Sequence, residues 1–496
     1  MIFLTACNAS QPIATATIQP ASTDQPTPTA TETPIPPTET PTPWPTPPAK
    51  SSALIVRFNF PGVEMDRVYG PDPSLAAGEN VIVVSTNEFT AIYRKDGSRL
   101  AIVGLDNFFF SLKQPGEDVI FDPRIVYDHW SQRFFLFARA KVPDPNCKIT
   151  ECKAQLYIAV SKTKKPTTFF SDDWHRYALD ATLDLTSEGP IYTQAWPDFT
   201  SMGVSPETLV VTLVMLNRVN GAYEYQRIRI LNKEVLLQGG PVEVWHDLKL
   251  SAHSRQAVIH LDNPQGNFFL VETNDDSPCV FKIHRITNPI QAPQIVQSSV
   301  ATKSCRSGIK VPQPGGSASG DGPSVNVGGL SDRPVFRNGS IWVVQDSAQY
   351  QDGIVRSGIL FAQLDVSNWP QVKVIQSIVI SQPGYWYFMP SITVNEQSNV
   401  AIVFACTDGV VPISVCYSGR LGTDPLNTMR PVTTMKVGIA YVPSNSGCPP
   451  QRNWGDYFGA ALDPVDGSAW IIGEYAKGSC WATWVGNLDW SVSSSP

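Results

Sequence analysis

The chain has 496 residues, 37 of them basic and 44 acidic, and a formal net charge of −7. Such a length fits two or three ordinary domains or one large repeat domain. The charge offers no basic face for nucleic acid, and no apolar run reaches the roughly 18 residues a membrane-spanning helix needs.

Residues 1–7, MIFLTAC, end in Leu4-Thr5-Ala6-Cys7. The tetrapeptide resembles the lipobox of bacterial lipoproteins, which makes Cys7 the expected lipidation site. The basic and most of the apolar part of such a signal do not precede it, so a start further upstream is expected. Residues 8–50 are almost wholly Thr, Pro, Ala, Ser and Gln. They cannot bury a core, and their prolines hold them extended and disordered, a stalk reaching on the order of 100 Å. Residues 51–496 are left as one folded domain.

Within that domain a pattern of β-like run, turn and second run recurs seven times. The first runs begin near Pro73, Pro123, Phe199, Arg255, Arg333, Pro390 and Tyr457, and the second near Asn80, Arg133, Thr208, Asn267, Ser340, Asn399 and Ser468. The last copy, Trp454 to Tyr475, shows the elements best: Asp466-Gly467 supplies a tight turn between two apolar runs. Further β-like runs follow most copies, at Leu156–Val160, Tyr223–Leu231, Val280–Ile286, Gly358–Leu364 and Ile413–Tyr417. Seven units of four strands with almost no helical periodicity predict an all-β fold, a seven-bladed β-propeller, with six or eight blades as alternatives. The seventh unit has only three strands before the chain ends. An open blade would leave an unpaired edge, so Ala53–Phe60 is predicted to pair with Trp481–Leu488 as the fourth strand and close the ring. Ser307–Leu330, rich in Gly and Ser, is predicted to be loop throughout.

Besides Cys7 there are eight cysteines, an even number suited to disulfides in an exported chain. Neighbour pairing gives Cys147 with Cys152, Cys279 with Cys305, Cys406 with Cys416, and Cys448 with Cys480. Cys416 fits least well, being part-way along a strand. No pair has CxxC spacing and the six histidines form no HExxH or HxH cluster, so no metal site is expected from Cys or His.

Successive strands of a blade alternate in direction, so the loops that carry most of these cysteines lie on the propeller face that receives the chain at the start of each inner strand. There Asp72, Asp122, Asp198, Asp332 and Asp456 recur. A near-ring of carboxylates could bind Ca²⁺ or supply a pair for glycoside hydrolysis. The plainer reading is that each Asp fixes its own loop by hydrogen bonds to backbone. The register is offset by one residue between Asp72, Asp122 and Asp332 on one side and Asp198 and Asp456 on the other. Arg124, Arg255 and Arg333 lie at the same strand starts and could pair with those carboxylates or bind an anion. Tyr385, Trp386 and Tyr387, in a row before the sixth inner strand, could stack on a sugar or fill a partner's pocket, or pack between blades.

WGDYFGAALDPVDGSAW, FDPRIVYDHWSQRFF and MPSITVNEQSNVAIVF resemble a family of exported bacterial β-propeller proteins of largely unassigned function, across most of residues 53–496. A more distant similarity is to sialidase-like propellers. The chain departs from those in lacking the S-x-D-x-G-x-x-W box, so no catalytic residues carry over. The expected function is therefore that of a monomeric, lipid-anchored, extracellular binder of a glycan, protein or cell-wall ligand on a disulfide-stapled face, touching the membrane only through its lipid. The alternative is an extracellular glycoside hydrolase or lyase using the channel-mouth carboxylates. No cofactor is called for beyond the Ca²⁺ already considered.

Overall fold

The second strand of each unit is buried along nearly its whole length, as in Val81–Ser85, Thr208–Asn217 and Val400–Thr407. Side chains alternate across a strand. A strand apolar on both faces must therefore have a partner sheet on each side. The computed structural model satisfies this with seven antiparallel sheets arranged as a β-propeller. It describes residues 53–491 except 65–69, 115–116, 118, 141–152, 187–188, 194, 244, 252–254, 274–277, 303–308, 315–323, 328–332, 440–453 and 478–479.

The inner strands of blades 1 to 7 are Ser74–Ala77, Ile120–Asp128, Ala195–Val204, Arg255–Ala257, Val335–Arg337, Trp386–Val394 and Gly459–Leu462. Between successive blades lies an apolar cluster, and alternation feeds it. Val81 and Val83 point into the gap between blades 1 and 2, while Ile82 and Val84 point into the gap between blades 7 and 1. In blade 7, Ala469 and Ile471 face blade 6, and Trp470 and Ile472 face blade 1. Blade 4 adds a direct link: Ile259–His260 pairs in parallel with the inner strand of blade 5.

The ring closes as the sequence predicts. Ile55–Glu64 pairs antiparallel with Cys480–Asp489, with Phe60 opposite Val485 and Ile55 opposite Asp489. Phe60 packs on Tyr93 of blade 1 at 5.2 Å and on Trp470 at 6.5 Å between ring centres. Leu54 enters the gap between blades 6 and 7, and its carbonyl accepts from the Tyr417 hydroxyl at 3.0 Å. Thr483 Oγ1 accepts from Val63 N at 2.7 Å and donates to Val63 O at 2.8 Å.

Two departures concern the connections. The Gly- and Ser-rich stretch is not all loop: Ile309–Pro312 and Ser324–Val327 pair as a hairpin. Its two ends carry β-branched residues, which favour a pleated strand. A second unpredicted hairpin joins Leu183–Thr186 to Gly189–Tyr192. Of the cysteines, Cys406 and Cys416 form a disulfide between neighbouring strands of blade 6, with Cα atoms 5.9 Å apart. The mid-strand position of Cys416 suits this, because Cys406 lies opposite Ser414, two residues away. Cys279 is also disulfide-bonded. Cys7, Cys147, Cys152, Cys305 and Cys448 fall outside the described residues, and with them the pairs 147–152 and 448–480.

A chain starting at Pro61 loses most of the closing strand, whereas one starting at Ser51 keeps it. The shorter chain should melt well below the longer one in calorimetry. Phe60→Ala alone should cost about 3 kcal/mol or more in urea unfolding, as for other buried aromatic truncations. Equal stability of the two chains would show that the seam does not depend on this strand.

Candidate functional site

Each inner strand starts at one mouth of the central channel, and the backbone there is unusual. Asp72, Asp122, Phe199, Arg333 and Met389 all have positive φ, between 41° and 72°. Non-glycine residues in this region cost of order 1–3 kcal/mol each and persist only where their surroundings hold them. The pairing slips at the same places, between Phe121 and Arg124, Asp198 and Ser201, and Phe388 and Ser391. These are bulges that re-aim the side chains. In four of the five, proline follows (Pro73, Pro123, Pro334, Pro390). Proline has no N–H, so it brings no ladder donor of its own to be left unpaired.

Side chains of the preceding blade hold these starts. Asn87 of blade 1 accepts from Asp122 N at 2.7 Å. Gln226 of blade 3 accepts from Arg255 N at 3.1 Å, and Asp346 of blade 5 from Met389 N at 3.0 Å. At the seam the contact runs the other way: Asp72 of blade 1 accepts from Asp456 N of blade 7 at 2.5 Å. Serines reach the following inner strand as well: Ile125 N donates to Ser74 Oγ at 2.8 Å and Ala257 N to Ser201 Oγ at 3.1 Å.

This geometry brings Asp72, Asp122, Asp198 and Asp456 to one mouth; Asp332 lies outside the described residues. Arg139 joins two of them. Its Nε and Nη2 donate to Asp122 Oδ2 at 2.8 and 2.6 Å, its Nη2 also reaches Asp198 Oδ1, and its Nη1 donates to Pro197 O at 3.0 Å. Asp198 accepts in addition from Phe199 N at 2.9 Å. Asp72 Oδ2 accepts from Asn87 Nδ2 at 2.7 Å. Asp456 differs: protein encloses it on most sides, yet it keeps an open face to solvent. Enclosure and the nearby Asp122 raise its carboxyl to about 6, against the pull of Arg124.

A fifth carboxyl, Glu474, completes the group. It lies on the second strand of blade 7, wholly buried, and neither carboxyl oxygen has a hydrogen-bond partner. Burial first, then the charges of Asp72 and Asp456, push it well above the usual carboxylate range. Asp72 is raised likewise, by burial and then by Asp456 and Asp122. Gly455 shows how tightly the group is packed. Its φ is +80°, and a Cβ there would stand 2.9 Å from Asp72 Oδ1 and 3.1 Å from Glu474 Oε2.

The arginines serve the ring itself. Arg124 stacks on Tyr457 at 3.2 Å from the ring centre. Arg255 is buried against Glu272 at 2.9 Å. Burial opposes ionisation of Glu272, but His284, Lys282 and Arg255 together outweigh it and hold it at about 2. Arg333 crosses the channel from blade 5 to blade 1, donating to Leu75 O at 3.1 Å and to Ser74 Oγ. Trp386 and Tyr387 belong to the sixth inner strand and are buried, Trp386 toward blade 7 and Tyr387 on Phe404 at 5.1 Å. Tyr385 is half-buried beside them. Among the described residues no three His, Cys, Asp or Glu side chains converge as metal ligands.

No family model and no curated protein matches the chain. Solved structures similar to it include the WD40 domain of SCAP from fission yeast, at 8% identity over 85% of this chain and 82% of that one, with a TM-score of 0.34. Drosophila Semaphorin 1b, extracellular domains 1–2, is similar at 7% identity over 88% of each chain, TM-score 0.38. Trypanosoma rangeli sialidase in complex with sialic acid is similar at 8% identity over 88% of this chain and 60% of that one, TM-score 0.39. Likenesses this remote assign no activity.

Glu474→Gln provides a test of the buried carboxyl. A carboxyl whose folded pKa is raised keeps its proton in the folded state after the unfolded chain has lost it. Stability then falls as pH rises from about 4.3 toward the raised value, by up to about 1.4 kcal/mol per pH unit. Glu474→Gln should flatten that fall, so the variant should be the more stable protein above about pH 6. Urea midpoints between pH 4 and 8 decide it, and parallel curves for the two proteins would count against a protonated Glu474.

Proposed function

We propose that this protein is a surface-tethered binding propeller that presents its channel-mouth face to an extracellular glycan, protein or cell-wall ligand. The observation that carries this reading is the commitment of the carboxylates. Asp122 and Asp198 share Arg139, and Asp72 is held by Asn87 and the Asp456 N–H. A hydrolase needs a carboxyl pair free to face substrate and water, and three of the four described aspartates are bound to the frame instead. Lipidation at Cys7 and the stalk of residues 8–50 would hold the domain at a bacterial cell surface as a monomer.

One observation favours the hydrolytic reading. Asp456 stands open to solvent with its carboxyl near 6, a value suited to a general acid. The two readings part on a soluble domain 51–496, screened on a glycan array and against a panel of fluorogenic 4-methylumbelliferyl glycosides. Binding without turnover is the expected result. Turnover abolished by Asp456→Asn would replace the binder with an enzyme. In cells, Cys7→Ser should move the protein from the membrane fraction to the soluble fraction, and unchanged membrane association would remove the lipid anchor from the proposal.

A further inference from the structure

The two faces of the propeller differ in what they expose. Among the described residues eighteen large apolar side chains stand exposed. Twelve belong to segments at the mouth face, where the inner strands begin and the second strands turn into the third. Three, including Val465, lie on the opposite face, and three on outer strands. The mouth-face set surrounds the channel: Phe110 after blade 1, Val219 and Tyr223 on blade 3, Tyr350 on blade 5, Val410 and Ile439 on and after blade 6. Apolar side chains gathered on one face mark an interaction surface.

The rim meets the carboxylates directly. Phe199, half exposed, follows Asp198 in the chain and stacks on Tyr223 with ring centres 6.5 Å apart. Inside the rim stands Asp456, to whose carboxylate no described residue donates a hydrogen bond, and behind it Glu474, fully buried with both oxygens unpaired. Arg139 is taken up by Asp122 and Asp198, and Arg124 lies flat on Tyr457. Among the described residues, then, no side chain donates a hydrogen bond to Asp456 or Glu474, and the mouth has acceptors to spare. A cationic donor from outside would engage them, and buried charge-assisted hydrogen bonds are the strong ones.

We propose that this face docks a protein partner that inserts a lysine or arginine side chain into the channel mouth at Asp456, with flanking apolar side chains seated on the rim. The proposal rests on the binding reading above and narrows its ligand to a polypeptide. An apolar ring that excludes water around a central polar contact is the arrangement that gives protein interfaces their binding energy.

The test uses the full chain and an immobilised peptide library in which a central position is varied between fixed apolar and aromatic neighbours. Lys or Arg at the centre should be preferred at least about tenfold over Gln, the effect of one charge-assisted contact. Asp456→Asn should reduce that preference to about twofold or less. The rim variant Tyr350→Asp/Val410→Asp should weaken binding about tenfold, while Val465→Asp on the opposite face should leave it unchanged. No preference for a basic centre, or equal loss in Val465→Asp, would overturn the proposal. Glycan-array binding without peptide selection would overturn it and leave the binding function standing, as would adsorption to phosphatidylcholine vesicles or a concentration-dependent dimer lost in the rim variant. Failure to bind peptide, glycan or vesicle would remove the binding function as well.

Discussion

The fold depends on second strands that are apolar on both faces. Such a strand cannot end a stack, because whichever blade came last would leave one apolar face in water. At about 25 cal/mol per Å² of apolar surface, an open face spanning a whole blade would be a large loss against the few kcal/mol by which proteins are stable. Closing the stack into a ring removes the problem. Ile82 and Val84 of blade 1 then meet Trp470 and Ile472 of blade 7 as any neighbours meet. The closing strand follows from the same constraint. Blade 7 takes its outer strand from the start of the domain, so the seam is held by main-chain pairing and by Phe60 and Leu54.

Closure by packing alone would leave the inner strands free to slide, since apolar contacts carry little direction. The polar latches at the mouth give the ring its register. Asn87, Gln226 and Asp346 each fix a backbone N–H of the next blade. The positive φ at Asp72, Asp122, Phe199, Arg333 and Met389 is the conformational cost of bringing those groups together. Strain repeated at one place in five blades marks a shared constraint, and in blades 2, 3 and 6 it sits at a bulge that re-aims the strand start. A site built on such positions is stiff before any ligand arrives, which lowers the ordering cost of binding.

Much of this was legible in the residues. The second strands begin within a residue of the expected positions, at Val81, Arg133, Thr208, Asn267, Ser340, Val400 and Ala469. Uninterrupted apolar runs bounded by turn residues leave little freedom there. Closure was legible too, because counting strands in the last unit exposes the missing one. The mouth was less so. Bulges break the two-residue period, and the residue with positive φ is Asp72 or Asp122 in some blades but Phe199 or Arg333, one beyond the aspartate, in others. Spacing alone cannot follow such a slip. Nor could it tell that Trp386 and Tyr387 begin the strand itself and so pack inward. Glu474 left a signal that the search for aspartates passed over: a lone carboxylate in the apolar run Ile471-Ile472-Gly473-Glu474-Tyr475.

The position of Glu474 ties the seam to the site. Blades 7 and 1 come from opposite ends of the domain, and at their junction the latch is made of carboxyls, where the latches from blade 1 to 2, 3 to 4 and 5 to 6 use an amide or a single Asp. Asp72 accepts the Asp456 N–H, and Glu474 stands behind it with no donor of its own. Asp72 and Glu474 are both buried and Asp456 stands beside them, so each charge raises the cost of the next. In the free protein protons supply the missing positive charge, which is why Asp72 and Glu474 hold theirs far above the ordinary range. Gly455 is the residue that permits the arrangement. Its φ of +80° is strained for other residues, and a Cβ there would crowd Asp72 and Glu474. The corner therefore has a charge state that depends on what sits in the mouth. On the docking proposed above, an inserted cation and the resident protons would compete for the same carboxylates at the junction that closes the ring.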